Sequence, residues 1–337
     1  MRFFFAIFFT VFSFYGNAQT PNFVIKNISL PSEISYYDNQ FSGLYIQQNK
    51  LFLMSESRLQ DNAEAKLYAI NLTDIDRKII DTSFILPYKK YKINNLQPLR
   101  KLMLDHGDDY EGLEAIVIEN NDVYLTVETA TPSNNCYLLK GVLTDTAVEM
   151  DLKVLIPLPK PIANDGSHIY NAGFEAMTMI DKTLFTFFEY NSFPKDNLVI
   201  GTKIMSYSNV FFQLPTITIL PFRITDITKT SKNNYTAINY FFKGGGDDAI
   251  YRVPKSDTQN DKLIRDTAGY KSYCRLVNIS YKKGKYIWKP LWEFPVQYMS
   301  YNWEGIAAYK NGYFLMNDKY TPARPYKSTL LFLAPPN

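Results

Sequence analysis

Ser42-Gly43-Leu44, Glu111-Gly112-Leu113, Ala172-Gly173-Phe174, Thr225-Asp226-Ile227 and Glu304-Gly305-Ile306 are five copies of one phrase. Each runs from a small or acidic residue through Gly or Asp to a bulky apolar one, and an apolar-aromatic run follows about ten residues on. The copies stand 69, 61, 53 and 79 residues apart. Repetition of one supersecondary unit at such spacings marks an array that stacks or closes on itself.

Alternating apolar residues and turn clusters fill each repeat with strands, lettered A to D from the phrase outward. The first repeat reads as A 41–47, B 50–56, C 66–72 and D 78–86. The second reads as 111–118, 122–128, 136–143 and 147–157; the third as 173–180, 183–189, 199–207 and 209–219. The fourth has A 223–229 and B 235–242, then an excursion over 243–271 that holds Gly244-Gly245-Gly246-Asp247-Asp248, then C 273–281 and D 285–294. The fifth has A 304–309, B 312–318 and C 328–334 but no D. A spare strand at 22–30 fills that gap, which leaves no open sheet edge. The expectation is an all-β, five-bladed β-propeller of four-stranded antiparallel blades, closed by the N-terminal strand. A six-bladed ring requires 243–271 to form a blade of its own. No helix longer than a turn or two is expected.

Bulk composition narrows the class. The chain has 337 residues, 36 basic and 33 acidic, for a net charge of +3. So balanced a surface lacks the basic stripe of a nucleic-acid binder. Tyr (26) and Phe (24) are abundant, which favours strands. Residues 3–15 are apolar after Arg2, and Gly16-Asn17-Ala18 supplies small residues for cleavage. Residues 1–19 read as a secretory signal and 20–337 as one domain, exported to the periplasm or beyond. No later apolar run is long enough to span a membrane. Cys136 and Cys274 sit in strand-like runs and read as two separate buried thiols. A monomer is expected.

In a propeller the innermost strands line a central channel. The residue ahead of each phrase Gly then faces the axis, which assigns Ser42, Glu111 and Glu304 to a metal. Clustered carboxylates repel one another unless a cation or proton lies between them. Oxygen donors favour Ca²⁺ over Mg²⁺, and the poverty in His and Cys excludes zinc. The competing reading is that the phrase is a packing device. A second pattern places Glu114 and Glu175 three residues after the phrase start, with Glu128 and Glu189 fourteen residues further on. Glu56, Asn239 and Asp318 stand at equivalent strand-B ends, so one face carries a rim of acids and amides. Glu114, Glu175 and His106 are the candidate proton-transfer groups. Glu128, Glu189, Lys319 and Arg324 are the candidate substrate contacts. Strand-end acids that merely cap turns are the alternative. Tyr170 and other aromatic residues beside the phrases could stack on sugars or serve the core.

The stretches Asp109-Tyr110-Glu111-Gly112-Leu113-Glu114-Ala115-Ile116, Asn171-Ala172-Gly173-Phe174-Glu175-Ala176-Met177 and Asn302-Trp303-Glu304-Gly305-Ile306-Ala307-Ala308 resemble the secreted phytase-like (esterase-like activity of phytase) propellers. The phrase is also similar to that of the calcium-activated nucleotidases (apyrases). The resemblance implies an axial calcium and hydrolysis of a phosphate or other ester. Glu111 and Glu304 match the axial acidic position and Ser42 matches a hydroxyl there, while Ala172 departs from it. Two functions follow as expectations: a calcium-dependent hydrolase of small polar or phosphorylated substrates, or a non-catalytic propeller that binds a glycan or peptide around a structural ion.

Overall fold

The computed structural model describes residues 22–36, 39–58, 64–195, 197–206, 209–318 and 328–336. Strand β1 (Val24–Ile28) precedes a first unit of β2 (Phe41–Gln47), β3 (Lys50–Ser55), β4 (Lys66–Asn71) and β5 (Lys89–Asn94). The second unit is β6 (Tyr110–Glu119), β7 (Asp122–Thr129), β8 (Asn135–Leu143) and β9 (Ala147–Pro159). The third begins with β10 (Ala176–Ile180) and β11 (Thr183–Phe187). After the two-residue β12 (Asn197–Leu198) it continues through β13 (Ile200–Ser206) and β14 (Asn209–Gln213). The short β15 (Thr216–Ile217) leads to the fourth unit, β16 (Arg223–Ser231) and β17 (Asn234–Phe241). A small hairpin, β18 (Arg265–Asp266) and β19 (Gly269–Tyr270), comes before its outer strands β20 (Tyr273–Lys282) and β21 (Lys285–Glu293). The fifth unit is β22 (Trp303–Tyr309), β23 (Gly312–Asn317) and β24 (Leu330–Ala334).

The first strands of the units meet in cyclic order: β2 with β6, β6 with β10, β10 with β16, β16 with β22, and β22 with β2. The chain is a β-propeller. Its fifth sheet is completed by β1, antiparallel to β24 from Val24 opposite Ala334 to Ile28 opposite Leu330. The closing strand expected at 22–30 is therefore in place. The excursion makes no blade; it folds as a 3₁₀ turn (Asp247–Tyr251), a helix (Thr258–Ile264) and the β18–β19 hairpin.

Two corrections concern helices. Leu72–Ile80 (α1) and Leu96–Asp105 (α2) are helical, and Thr258–Ile264 is α3. Apolar residues at 72, 75 and 79, and again at 96, 99 and 103, follow the helical period, and most of them are buried. The expected strand D at 78–86 instead lies at β5, after α1. Cys136 and Cys274 are buried and unbridged, as expected. No helix among the described residues is long and apolar enough to cross a membrane.

In four of its five copies the repeated phrase is a β-bulge; the third copy lies just ahead of β10, outside any strand. Register slips by one residue between Phe41 and Gly43, Tyr110 and Gly112, Ile224 and Asp226, and Trp303 and Gly305. Ser42, Glu111, Thr225 and Glu304 are the extra residues, and a bulge re-aims its side chain away from the pleat. The Ser42 hydroxyl donates to Leu113 O and the Thr225 hydroxyl to Trp303 O, both at 2.6 Å. Each bond ties one blade to the next. Backbone bonds do the same: Leu113 N–H donates to Glu56 O at 2.7 Å and Ile224 N–H to Glu189 O at 3.0 Å. The strand-B end of one blade is thereby pressed against the phrase of its neighbour. A Cβ on Gly112 would lie 2.6 Å from Glu56 Cγ, and one on Gly173 would lie 3.2 Å from Glu128 Cβ. Gly112 and Gly173 make room for the preceding blade's acid, whereas Gly43 and Gly305 admit the apolar side chains of Ile116 and Leu44.

Asp226 stands where the other phrases carry Gly. Its carboxylate accepts the amides of Ile227 and Ile306 at 2.7 Å each and that of Leu44 at 3.4 Å. It thus joins the fourth, fifth and first blades beneath the channel. Asp226→Ala would strand three buried donors at about 1–3 kcal/mol each. The expected result is a fall in Tm of roughly 5–10 °C or more by calorimetry. An unchanged Tm would refute this pinning role.

Candidate functional site

The strand-A starts and strand-B ends converge on a cavity of about 270 Å³. Glu114 enters from β6, Glu128 from the end of β7, and Glu175 from the segment ahead of β10. All three are buried, and one carboxylate oxygen from each lies within 4.8 Å of the others. Glu114 Oε1, Glu128 Oε1 and Glu175 Oε2 have no hydrogen-bond partner. Buried acceptors without donors are costly, and three aimed at one space require something positive there. Glu56, Glu304 and Asp318 line the same cavity. The Asn302 amide donates to Glu304 Oε1 at 2.5 Å.

Burial and mutual repulsion lift every one of these acids whose shift is resolved. Glu128 rises to about 8, through burial first and then the charges of Glu189 and Glu111. Glu56 rises to about 8 through burial, although its ion pair with Arg58 opposes the shift. Burial pushes Glu114, Glu175 and Glu304 well above the ordinary carboxylate range, and neighbouring carboxylates add to it. Glu189 is also raised by burial, though Arg223 and the Tyr251 hydroxyl hold it back.

The structure redistributes the expected site residues. Glu114, Glu175 and Glu128 come together as the trio. Glu304 faces the cavity beside them, while Glu111 is half-buried outside the lining and its charge acts on Glu56 and Glu128. The Ser42 hydroxyl is committed to Leu113 O, so the set Ser42, Glu111 and Glu304 does not converge as one group of ligands. The bulge explains the difference: an inserted residue leaves the face that simple alternation assigns to it. Glu189 is fully buried behind the wall and accepts the Tyr251 hydroxyl at 2.9 Å. His106 caps α2 at the surface, stacked on Tyr137 at 6.5 Å between ring centroids and away from the cavity lining. Lys319 and Arg324 lie outside the described residues.

Arg223 is the functional residue that sequence reading missed. It opens β16, lines the cavity, and faces Glu189 at 3.4 Å and Asp248 at 3.0 Å. The available signal was an arginine two residues ahead of a phrase, where the other copies have Gln40, Asp109, Tyr170 and Asn302.

No family model and no curated protein matches the chain. Solved structures similar to it include a GH43 β-xylosidase/α-arabinofuranosidase from a compost microbial metagenome, in complex with xylotriose and in calcium-free form. It is 8% identical, with 91% of this chain and 94% of that one covered and a TM-score of 0.47. Others are the exo-β-1,3-galactanase of Phanerochaete chrysosporium with β-1,3-galactotriose (9%, 86% and 58%, TM-score 0.47) and a GH43_1 enzyme of Xanthomonas citri (8%, 94% and 90%, TM-score 0.45). These structures are not phytase-like or apyrase proteins, the families that the phrase resembles. At these scores they carry no weight for activity, and the propeller assignment stands on the ring of inner strands.

The raised acids fix the sign of a pH effect. Glu56 and Glu128 hold protons in the folded state up to about 8 but lose them near 4.5 when unfolded. The folded state therefore binds more protons across that window, and stability falls as pH rises through it. Protein stripped of divalent cations should melt progressively lower between pH 5 and 8, as followed by circular dichroism. A flat or rising Tm would contradict the burial of mutually repelling acids.

Proposed function

We propose that the protein is an exported, calcium-dependent propeller that acts on carbohydrate. The carrying observation is that Glu114, Glu128 and Glu175, all buried in the cavity wall, each bring a carboxylate oxygen within 4.8 Å of the others, and that each also has a buried oxygen with no hydrogen-bond partner. Three hard oxygens in one water-poor space fit a divalent cation, and Ca²⁺ tolerates the irregular geometry best. Glu114, Glu128 and Glu175 would hold the ion. When bound, it would polarise a ligand oxygen and cancel the local negative charge.

The charge of the lining argues against a phosphoester. Among the described residues, seven with carboxyl groups line the cavity against two arginines, and each arginine already pairs with an acid. Wherever those acids are ionised, a phosphate would enter a field of its own sign. A neutral, hydroxyl-rich ligand meets no such barrier. Asn171, Asn302 and Arg223 carry donors, the acids carry acceptors, and Tyr170 and Phe242 add aromatic surface to the lining. Glu304, whose carboxyl affinity for a proton is raised by burial and by neighbouring acids, would be the group placed to protonate a leaving glycosidic oxygen.

Two readouts test this reading. Wild-type protein should gain at least several degrees in Tm with millimolar Ca²⁺, and Glu128→Gln should lose most of that gain while remaining folded. A panel of neutral oligosaccharides should include one that is bound or cleaved in the presence of Ca²⁺ but far less with Glu128→Gln. Turnover of nucleotides or inositol phosphates with no carbohydrate response would overturn the proposal.

A further inference from the structure

The excursion between β17 and β20 belongs to the site. Tyr251, Val253 and Ile264 bury it against the propeller, and Tyr251 donates to Glu189 Oε1. This fixed segment presents Asp248 to the cavity lining, with Asp248 Oδ2 accepting the Gly245 amide at 3.1 Å. Asp248 Oδ1 accepts from Arg223 Nη2 at 3.0 Å, and the guanidinium lies 4.0 Å from the Tyr251 ring centroid. Arg223 Nε is buried and has no hydrogen-bond partner. Arg223 and Arg58 are the arginines of the lining among the described residues, and the charge of Arg223 is shared between the fully buried Glu189 and the partly exposed Asp248.

We propose that Asp248 sets the charge preference of the cavity mouth. Paired with Arg223, it denies that guanidinium to an incoming carboxylate and places a negative charge of its own beside the entrance. The mouth then favours neutral sugars and rejects uronates. Discrimination of this kind comes from an arranged repulsion as much as from attraction. A guanidinium released from Asp248 has a planar fork of donors that matches a carboxylate in two-point contact. The inference deepens the carbohydrate reading and rests on it.

The test uses Asp248→Asn, which keeps the side-chain shape and an acceptor for the Gly245 amide but removes the charge. Wild-type and variant proteins, loaded with Ca²⁺, are titrated with matched neutral and uronate-containing oligosaccharides. The ratio of uronate to neutral affinity should rise by at least about tenfold in the variant. The Ca²⁺-induced rise in Tm should stay at its wild-type value, because Asp248 lies outside the trio. A wild type that binds neutral sugar, with no change of ratio in Asp248→Asn, overturns this inference alone. Loss of the Ca²⁺ response in Asp248→Asn also overturns it, by making Asp248 part of the ion site. A wild type that binds neither sugar overturns the carbohydrate reading and this inference with it.

Discussion

Carboxylates that repel one another are buried here in a space too small to dilute them. Glu114, Glu128 and Glu175 reach one cavity from two blades, and Glu56, Glu304 and Asp318 stand around it. Burial alone disfavours each charge, and proximity disfavours each again. Such an arrangement persists only if protons or a cation occupy the space between the groups. The fold supplies the rigidity that keeps the acids from turning outward, and the chemistry of the site follows from that confinement.

The confinement is built from the backbone. The strand-B ends at Glu56 and Glu189 are bonded to the phrase of the next blade, and the glycines of the second and third phrases leave room for the arriving acid. Gly112 faces Glu56 and Gly173 faces Glu128 at distances that admit no Cβ without a shift. The bulge residue beside each glycine then either fastens the blades, as Ser42 and Thr225 do, or adds a carboxyl group at the channel, as Glu304 does. One repeated phrase thus serves packing and site construction together. In the fourth blade Asp226 replaces the glycine and gathers amides from three blades.

Much of the ring was readable from residue order because strand alternation and the phrase spacing are local signals. Closure by residues 22–30 was readable because the last repeat lacked a fourth strand. The helices at 72–80 and 96–105 escaped, although leucine, isoleucine and methionine recur there at helical period; the expectation of a uniform blade masked them. The site was half legible. Glu114, Glu128 and Glu175 stood out by their fixed spacing from the phrase. Spacing also set them on one rim; that the three close to within 4.8 Å while Glu111 stays outside did not show, because a one-residue bulge changes which side chain faces the axis and alternation alone cannot reveal a bulge. Arg223 and Asp248 escaped for another reason: their partnership joins an inner strand to an excursion that no repeat describes.

The division of labour is then clear. A ring of strands fixes the acids, the trio offers a place for a cation, and the excursion shapes the opening through Asp248 and Arg223. Direct metal analysis tests the central claim. Protein purified in buffer with Ca²⁺ and passed through a desalting column should retain about one calcium per chain by atomic emission, and Tb³⁺ exchanged into it should luminesce until Ca²⁺ displaces it. Retention of no metal, together with a Tm indifferent to Ca²⁺ and to chelator, would contradict the account.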